Sequence, residues 1–290
     1  MGTAPSTLAL GETNARLESA SARRDSVLFP SDNFAWTRLS DPGKEIRLCS
    51  IEPGPEDTPI RAALRTVNLE EATRRYVCLS YSWITTCATE NIILNNKSYA
   101  VPRNLHRQLS RVRALGFAQD LWCDSLCIAQ DNSAERSIQV AMMGCIFSNA
   151  NQVYLGVDEG GMLFQPSMLS EILHGWSCGS HLRELDPSES SFDMIAAQQL
   201  RRILSASFWR RVWTVQEIVL ATEAFVMGEW GLVPFSTLVD ASGAYEKHRR
   251  ECCAPFIDIL PKDVQSDCYQ VSDHASASLM KHVNDRVVVV

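Results

Sequence analysis

Asp124 is a candidate functional residue because its carboxylate lies inside an apolar run of the sequence. Asp124 lies within Leu121–Ile128, which predicts a largely buried strand. A buried carboxylate needs a partner, so Asp124 is expected to hold Arg136 or Arg211, or else to line a site near the strand end. Arg75–Ser82 predicts a second strand, and ligand-binding loops usually begin beyond such carboxyl ends.

A serine-hydrolase motif is the main alternative chemistry. Gly175–Gly179 fits G-x-S-x-G, and Asp186 and His248 follow in the right chain order. A nucleophile elbow needs a strand before the serine, whereas a helical stretch, Met168–His174, precedes it here. Serine hydrolysis is therefore disfavoured. The phosphate-binding motifs G-x-x-x-x-G-K-[ST] and G-x-G-x-x-G are absent, so nucleotide hydrolysis and dehydrogenation lack support.

Cysteine usage and charge exclude further classes of function. The ten cysteines form no C-x-x-C pair, so no metal is predicted, and Cys252-Cys253 with His248 lacks the spacing of a site. Cys78 and Cys145 lie in apolar runs and are expected to be buried free thiols. The formal net charge of −7 argues against a nucleic-acid partner, which would need a basic face.

The hydropathy pattern predicts a cytoplasmic protein. Hydrophobic residues make up 46% of the chain, but no run of 18 apolar residues could form a transmembrane segment. The first 20 residues lack the basic start and apolar stretch of a secretory signal. Gly2 fits the short N-myristoylation pattern, and a single acyl chain would hold a membrane only weakly.

Strand and helix patterns alternate along the chain. Asn95-Asn96 predicts a tight hairpin turn, Gly116 a helix end, and Asn132 a helix cap with Glu135 as its reciprocal partner. The predicted strands and helices are Glu45–Ile51, Arg75–Ser82, Asn91–Leu94, Lys97–Val101, the helix from Pro102 to Gly116, Leu121–Ile128, the helix after Asn132 with Ile138, Met142, Cys145 and Ile146 on one face, Asn151–Val157, the helices Ala196–Leu204 and Phe208–Ala221, and Glu223–Gly228. This alternation predicts an open, mostly parallel α/β sheet with flanking helices.

Three ordered blocks resemble the fungal HET (heterokaryon incompatibility) domain family. Tyr76–Trp83 is similar to the family's Y-x-A-L-S-Y-x-W-G, and Leu121–Gln130 is similar to L-W-I-D-A-I-C-I-N-Q. Phe208–Glu217 is similar to W-x-R-V-W-x-x-Q-E. Two positions depart from the pattern: Ile84 replaces the usual glycine, and Ala129 replaces the usual asparagine.

The resemblance sets the expected domain organisation. It covers roughly residues 33–235 and implies a HET domain over 33–245 with a helical insertion at about 158–195. Residues 1–32 are expected to be a flexible lead-in, and residues 246–290 an irregular tail. The terminal Val287–Val290 fits no helix or strand pattern and suggests a truncated or misjoined end.

The HET family in turn resembles the TIR (Toll/interleukin-1 receptor) fold, which implies a TIR/flavodoxin-like sheet and an NAD-cleaving site. By position, Glu217 would be the catalytic carboxylate; the structural alternative is an ion pair with Arg210. Ser82, Trp83 and Asp124 would contact the nucleotide. Trp213 would either stack on an aromatic ring of the substrate or pack in the core.

The resemblance implies that the protein is an effector of programmed cell death. NAD would be its substrate and no bound cofactor is implied. The alternatives are a non-enzymatic, self-associating scaffold and a shortened, inactive relative. The expected partners are further copies of the chain and a nucleotide-binding signalling protein.

Overall fold

A single nine-stranded sheet organises the part of the chain that the computed structural model describes, which is residues 34–83, 88–116, 119–157, 171, 173–175, 199–200 and 202–250. The strands are β1 (Glu45–Ile51), β2 (Arg61–Asn68), β3 (Tyr76–Tyr81), β4 (Thr89–Leu94), β5 (Lys97–Pro102), β6 (Asp120–Trp122), β7 (Gln152–Gly156), β8 (Ala224–Gly228) and β9 (Gly231–Pro234). The helices are α1 (Arg103–Ala114), α2 (Asp124–Cys127), α3 (Ser133–Ala141), α4 (Met143–Asn149), a 3-10 helix (Ser207–Arg210), α5 (Val212–Val219) and α6 (Phe235–Arg250).

The sheet is mixed. Its strand order is β5-β4-β2-β1-β6-β3-β7-β8-β9. The four strands β6, β3, β7 and β8 pair in parallel. Antiparallel pairs join β4 to β5, β1 to β2, β1 to β6 and β8 to β9, while β2 and β4 are parallel. The predicted α/β class is confirmed, but the sheet is not mostly parallel, because half of its strand pairs are antiparallel.

The order of the central strands locates the place where a ligand would bind. Across the sheet these strands lie in the order β6-β3-β7-β8, although β3 comes first in the chain, followed by β6, β7 and β8. The winding therefore reverses between β3 and β7, and in open α/β sheets ligands bind beyond the carboxyl ends at such a reversal. The resemblance to TIR domains stays a prediction.

Local sequence accounts for several of these elements. All six residues of β3 are buried, as expected of a central parallel strand covered on both faces. Asn95 and Asn96 adopt positive φ angles of 49° and 62°, the backbone that the predicted two-residue hairpin requires. Gly116, at φ 65°, ends α1 as predicted, because a residue without a Cβ adopts the left-handed conformation readily.

The strand predicted over the second family block is too long. The strand predicted over Leu121–Ile128 ends at Trp122, and α2 begins at Asp124, whose Oδ1 accepts a hydrogen bond of 2.7 Å from Ser125 N. That side-chain acceptor competes with the strand ladder for the local backbone.

The helix predicted after Asn132 is broken at Met142 and buries a polar face. Asn132 caps it by accepting from Glu135 N, as predicted. The reciprocal bond predicted from Glu135 is wrong, because the Glu135 carboxylate binds Arg47 and Ala129 N–H, while Asn132 N–H donates to the Ala129 carbonyl oxygen. However, Ile138 is 42% exposed, whereas Gln139 is buried and donates to the carbonyl oxygens of Pro42 and Glu45. The helix packs on backbone acceptors of the N-terminal segment, so its buried side is set by polar partners and not by apolar spacing.

The sequence patterns did not predict β2, β9 or α6. The helix α6 runs to Arg250, five residues beyond the boundary predicted at 245. Within the described ranges, no helix has the length and apolar character needed to cross a bilayer.

Several predictions lie outside the described residues. They concern Gly2, the departure at Ile84, the Gly175–Gly179 motif beyond its first residue, Cys252-Cys253 and the tail from residue 251. The same applies to the insertion at 158–195, apart from residue 171 and residues 173–175.

Candidate active site

The candidate site forms where β3 and β6 end side by side. Their parallel register pairs Cys78 with Trp122, so the residues that follow each strand emerge at the same edge of the sheet. Ser80 lies near the end of β3, and Asp124 is the second residue after β6. The sequence blocks that contain these two residues are separated by about 40 positions and meet only through this pairing.

Glu217 reaches the site from α5. Ser80 Oγ donates a hydrogen bond to Glu217 Oε2, across 137 positions of sequence. Successive side chains of β3 alternate between the two faces of the sheet, and Ser80 shares its face with Cys78 and Tyr76. Glu217 is only 4% exposed. Burial raises its pKa, against the opposing effects of the Arg211 charge and the Ser80 hydrogen bond.

Asp124 is the more accessible carboxylate of the site. It is partly buried, and its Oδ1 accepts a hydrogen bond of 3.2 Å from the indole Nε1 of Trp83. Burial raises the pKa of Asp124 to about 6; Arg211 lowers it and the charge of Glu217 raises it further. Two carboxyl groups with raised pKa values at one sheet edge are typical of functional sites, although structural networks can also produce them.

Arg211 is the cation that both carboxylates share. It interrupts the helix predicted over Phe208–Ala221, with extended backbone between the 3-10 helix and α5. Its Nη1 donates a hydrogen bond of 2.6 Å to the Tyr81 carbonyl oxygen, which fixes the guanidinium at the end of β3. Of the two partners predicted for Asp124, the structure places Arg211 at the site, whereas Arg136 Nη1 donates to the Gln130 carbonyl.

The predicted ion pair between Arg210 and Glu217 is not the arrangement found. Arg210 is exposed in the 3-10 helix, and the charge that acts on Glu217 is that of its neighbour Arg211. The break in the helix at Arg211 changes the faces on which the two arginines lie. Spacing counted along one continuous helix therefore selected the wrong residue.

The remaining predicted contact residues are Trp213, Trp83 and Ser82, which are exposed or partly buried. Trp213 is 40% exposed, so it is not the core residue that one alternative proposed. Trp83 is 41% exposed and stacks on the buried Tyr81 ring, with centroids 6.5 Å apart and planes 24° apart. Ser82 is partly buried, and its carbonyl oxygen accepts a hydrogen bond from Asn104 Nδ2. Both tryptophans present ring surface to solvent.

The cysteines near the site are not reactive groups. Cys49, Cys78, Cys123 and Cys127 are buried free thiols, and burial raises the pKa of each. A buried thiol with a raised pKa carries little thiolate and is a poor nucleophile. Cys145, which was predicted to be buried, is exposed. In the described ranges, no group of three or more His, Cys, Asp or Glu side chains is arranged to hold a metal ion.

Comparison with known proteins matches this region of the chain to one family. The model of the family described as "Heterokaryon incompatibility protein (HET)" matches residues 76–217, from the first residue of β3 to Glu217. Over this segment, which is just under half of the chain, the protein is similar to the HET family. The matched segment includes all the residues of the site described above, from Ser80 on β3 to Arg211 and Glu217 at α5.

One curated relative carries the same family name. Heterokaryon incompatibility protein 6, OR allele, from Neurospora crassa, is 31% identical over 151 residues. The aligned part is 46% of this chain and 22% of that protein, so the chain spans about a fifth of the length of the relative it matches. No solved structure matches the chain.

The HET-family departure at Ala129 falls on a backbone contact. Ala129 is buried, and its N–H donates a hydrogen bond of 3.1 Å to Glu135 Oε1. Any residue except proline supplies that donor, so this contact does not need the usual asparagine. Glu135 is itself held by Arg47, with Nη1 to Oε1 at 2.6 Å.

Sequence reasoning missed the roles of Ser80, Arg47 and Glu135. Ser80 was noted only as part of a strand end, and the buried Arg47–Glu135 pair was not predicted. A charged residue inside the apolar strand EIRLCSI was the available signal for Arg47, because a buried guanidinium must find an acceptor.

Proposed function

We propose that this chain is a heterokaryon-incompatibility effector, a fungal protein that triggers programmed cell death when incompatible cells fuse, and that its HET domain cleaves NAD. The family match and the name of the Neurospora relative support the incompatibility role. The support for the chemistry comes from the cluster of Glu217, Asp124 and Arg211.

The observation that carries the proposal is the position of Glu217. Helix α5 brings this carboxylate to Ser80, near the carboxyl end of β3 and beside the reversal in strand order. That edge is where ligands bind in open α/β sheets.

The chemistry suits this set of groups. Cleavage of the nicotinamide–ribose bond passes through an oxocarbenium-like state, which a nearby carboxylate stabilises. The bonding electrons leave with nicotinamide, and a water oxygen then bonds to C1′ and loses a proton. Asp124, with a pKa of about 6, is mostly charged at neutral pH and can accept that proton. Arg211, which is held at the end of β3, supplies the positive charge that a phosphate of the substrate would need.

A second candidate function, a non-enzymatic and self-associating scaffold, is favoured by the burial of Glu217. At 4% exposure, this side chain is closed to a substrate unless the structure around it moves. In that case the hydrogen bond from Ser80 is purely structural. Self-association and recruitment of a nucleotide-binding signalling protein would then carry the function.

The test is NAD consumption by the full chain at high protein concentration, with and without a crowding agent. The parent is compared with Glu217→Gln, which keeps the size of the side chain and a hydrogen-bonding group opposite Ser80. The matched control is Glu70→Gln, an equivalent change at an exposed position in the loop after β2. Light scattering records the oligomeric state of each sample.

Each outcome selects one candidate. Loss of NAD with the parent and Glu70→Gln but not with Glu217→Gln supports the enzyme and its site. Equal loss with all three places the activity elsewhere and contradicts the role of Glu217. No loss in any sample, with oligomers present, favours the scaffold.

A further inference from the structure

Among the described residues, the Trp83 side chain has one hydrogen-bond partner, and that partner belongs to the site. Its indole Nε1 donates to Asp124 Oδ1 at 3.2 Å, and its ring stacks on Tyr81 while remaining 41% exposed. An indole N–H is only a donor, so it needs an acceptor to keep this position. The carboxylate of Asp124 is the acceptor, and it is the more accessible of the two carboxylates in the site.

We propose that the hydrogen bond between Trp83 and Asp124 is a proton-controlled latch, closed while Asp124 is charged and released when Asp124 takes up a proton. A hydrogen bond to a charged acceptor is roughly twice as strong as one between neutral groups. Protonation therefore removes much of the attraction that holds the exposed indole, while the buried Tyr81 ring keeps its place. The latch concerns the same site as the proposed function and does not depend on NAD being the substrate.

The groups around Asp124 set the pH at which it takes up a proton. Arg211 and Glu217 face Asp124 from α5, with opposite effects on its pKa. Tyr81, on β3, and Cys123, before α2, are neutral near pH 6, because burial raises the pKa of both. The Ser125 N–H and the Trp83 indole stabilise the charged form. With burial as the largest effect, the pKa of Asp124 lies at about 6.

The latch can be measured without any substrate. The fluorescence of the full chain is recorded between pH 4.5 and 7.5, and that of Trp83→Phe is subtracted, which leaves the contribution of Trp83. The expected difference signal shows a single-proton transition centred at pH about 6. Glu217→Gln should move the midpoint to lower pH, because it removes a charge that raises the pKa, and Arg211→Gln should move it to higher pH.

Asp124→Asn is the decisive variant, since it keeps a carbonyl acceptor and cannot titrate. The transition should disappear in this variant. A midpoint near pH 4, the ordinary range of a carboxyl group, or a transition that persists in Asp124→Asn would overturn the proposal. Circular dichroism over the same pH range separates release of Trp83 from acid unfolding of the whole domain.

A second readout covers the case in which Asp124→Asn fails to fold. The indole N–H resonance of Trp83, assigned by its absence in Trp83→Phe, is followed by NMR in the parent chain. A shift with a midpoint near pH 6 supports the latch, and a resonance that does not move between pH 5 and 7.5 contradicts it. Neither readout depends on NAD cleavage, so failure of the latch and failure of the proposed enzyme are distinguishable.

Discussion

At the scale of single residues, Arg47 is a buried guanidinium with several hydrogen bonds on the strand β1. This buried guanidinium donates to the carbonyl oxygens of Thr37 and Cys127 and to both carboxylate oxygens of Glu135. Burial raises the pKa of Glu135, but the bonds from Arg47 and Ala129 N–H outweigh it, and the pKa lies below its ordinary value. The pair binds the Cys127 carbonyl oxygen and the Ala129 N–H, and so fixes the turn that follows α2.

Arg47→Met should therefore destabilise the domain strongly. It leaves the Glu135 carboxylate buried without its guanidinium, and breaking such a pair typically costs about 3–5 kcal/mol. Urea unfolding measures the loss. The double change Arg47→Met with Glu135→Leu should recover a large part of it, because both charges are then removed.

The exposed pair Arg103–Glu90 provides the matched control. Its Nε–Oε1 distance is 3.1 Å, and both side chains face solvent. Arg103→Met should change the free energy of unfolding by only about 0–1 kcal/mol. Equal losses at the two arginines would show that the Arg47–Glu135 pair has no special structural role.

At the scale of elements, the close approach of α1 to β7 shapes the region beside the site. Gly156 ends β7, where it pairs with Tyr81 of β3. A Cβ added to Gly156 would lie 2.7 Å from Cδ and Oε1 of Gln108, a fully buried side chain of α1. The glycine is needed because helix and strand are in contact at this point.

Gly156→Ala should consequently destabilise the domain by about 1–3 kcal/mol, the usual range for overpacking in a core. Gly243→Ala is the control, since nothing lies within 4 Å of the added Cβ in α6. Alanine in a helix interior should stabilise by roughly 0.5–1 kcal/mol. Thermal melting of both variants tests the difference, and similar effects at the two positions would contradict the packing argument.

At the scale of the whole molecule, three buried or partly buried carboxyl groups give stability a distinctive pH dependence. Asp124 and Glu217 have raised pKa values, so folding favours their protonated forms. Glu135 has a lowered pKa, so folding favours its charged form. The two kinds of group act in opposite directions and in different pH ranges.

The contribution of Asp124 to the free energy of unfolding is predicted to decrease from pH about 4 to pH about 6. Its pKa rises from 3.8 in a free carboxyl to about 6 in the fold, so stability is lost as pH increases through this range. At about 1.4 kcal/mol per pKa unit, the loss is at most ~3 kcal/mol. Glu135 contributes fully above its ordinary pKa of 4.5 and loses its contribution only below it.

Urea unfolding of the parent and Asp124→Asn at pH 4.5, 5.5, 6.5 and 7.5 isolates this contribution. The difference in unfolding free energy between the two proteins should change across the range and level off above pH about 6. A constant difference would mean that Asp124 has the same pKa in the folded and unfolded chains.

The sequence by itself determined what depends on neighbours within a few positions. The turn at Asn95-Asn96, the cap at Asn132 and the end of α1 at Gly116 were all predicted, because each depends on the backbone preference or short side chain of one residue. The strand β3 was also predicted, since a central parallel strand is apolar throughout. The family blocks also identified Glu217 and Asp124 as candidate site residues from the sequence.

Only the tertiary structure decided which of these residues meet. The parallel pairing of β3 with β6 and the break at Arg211 bring Asp124 and Glu217 to one arginine, and neither is encoded in a local pattern. The sequence also predicted a buried Ile138, whereas α3 buries polar side chains that bond to distant backbone carbonyls. The spacing of apolar residues predicts which helix face is buried by the hydrophobic effect. It does not predict the burial of polar side chains whose hydrogen-bond partners lie about 90 positions away in sequence.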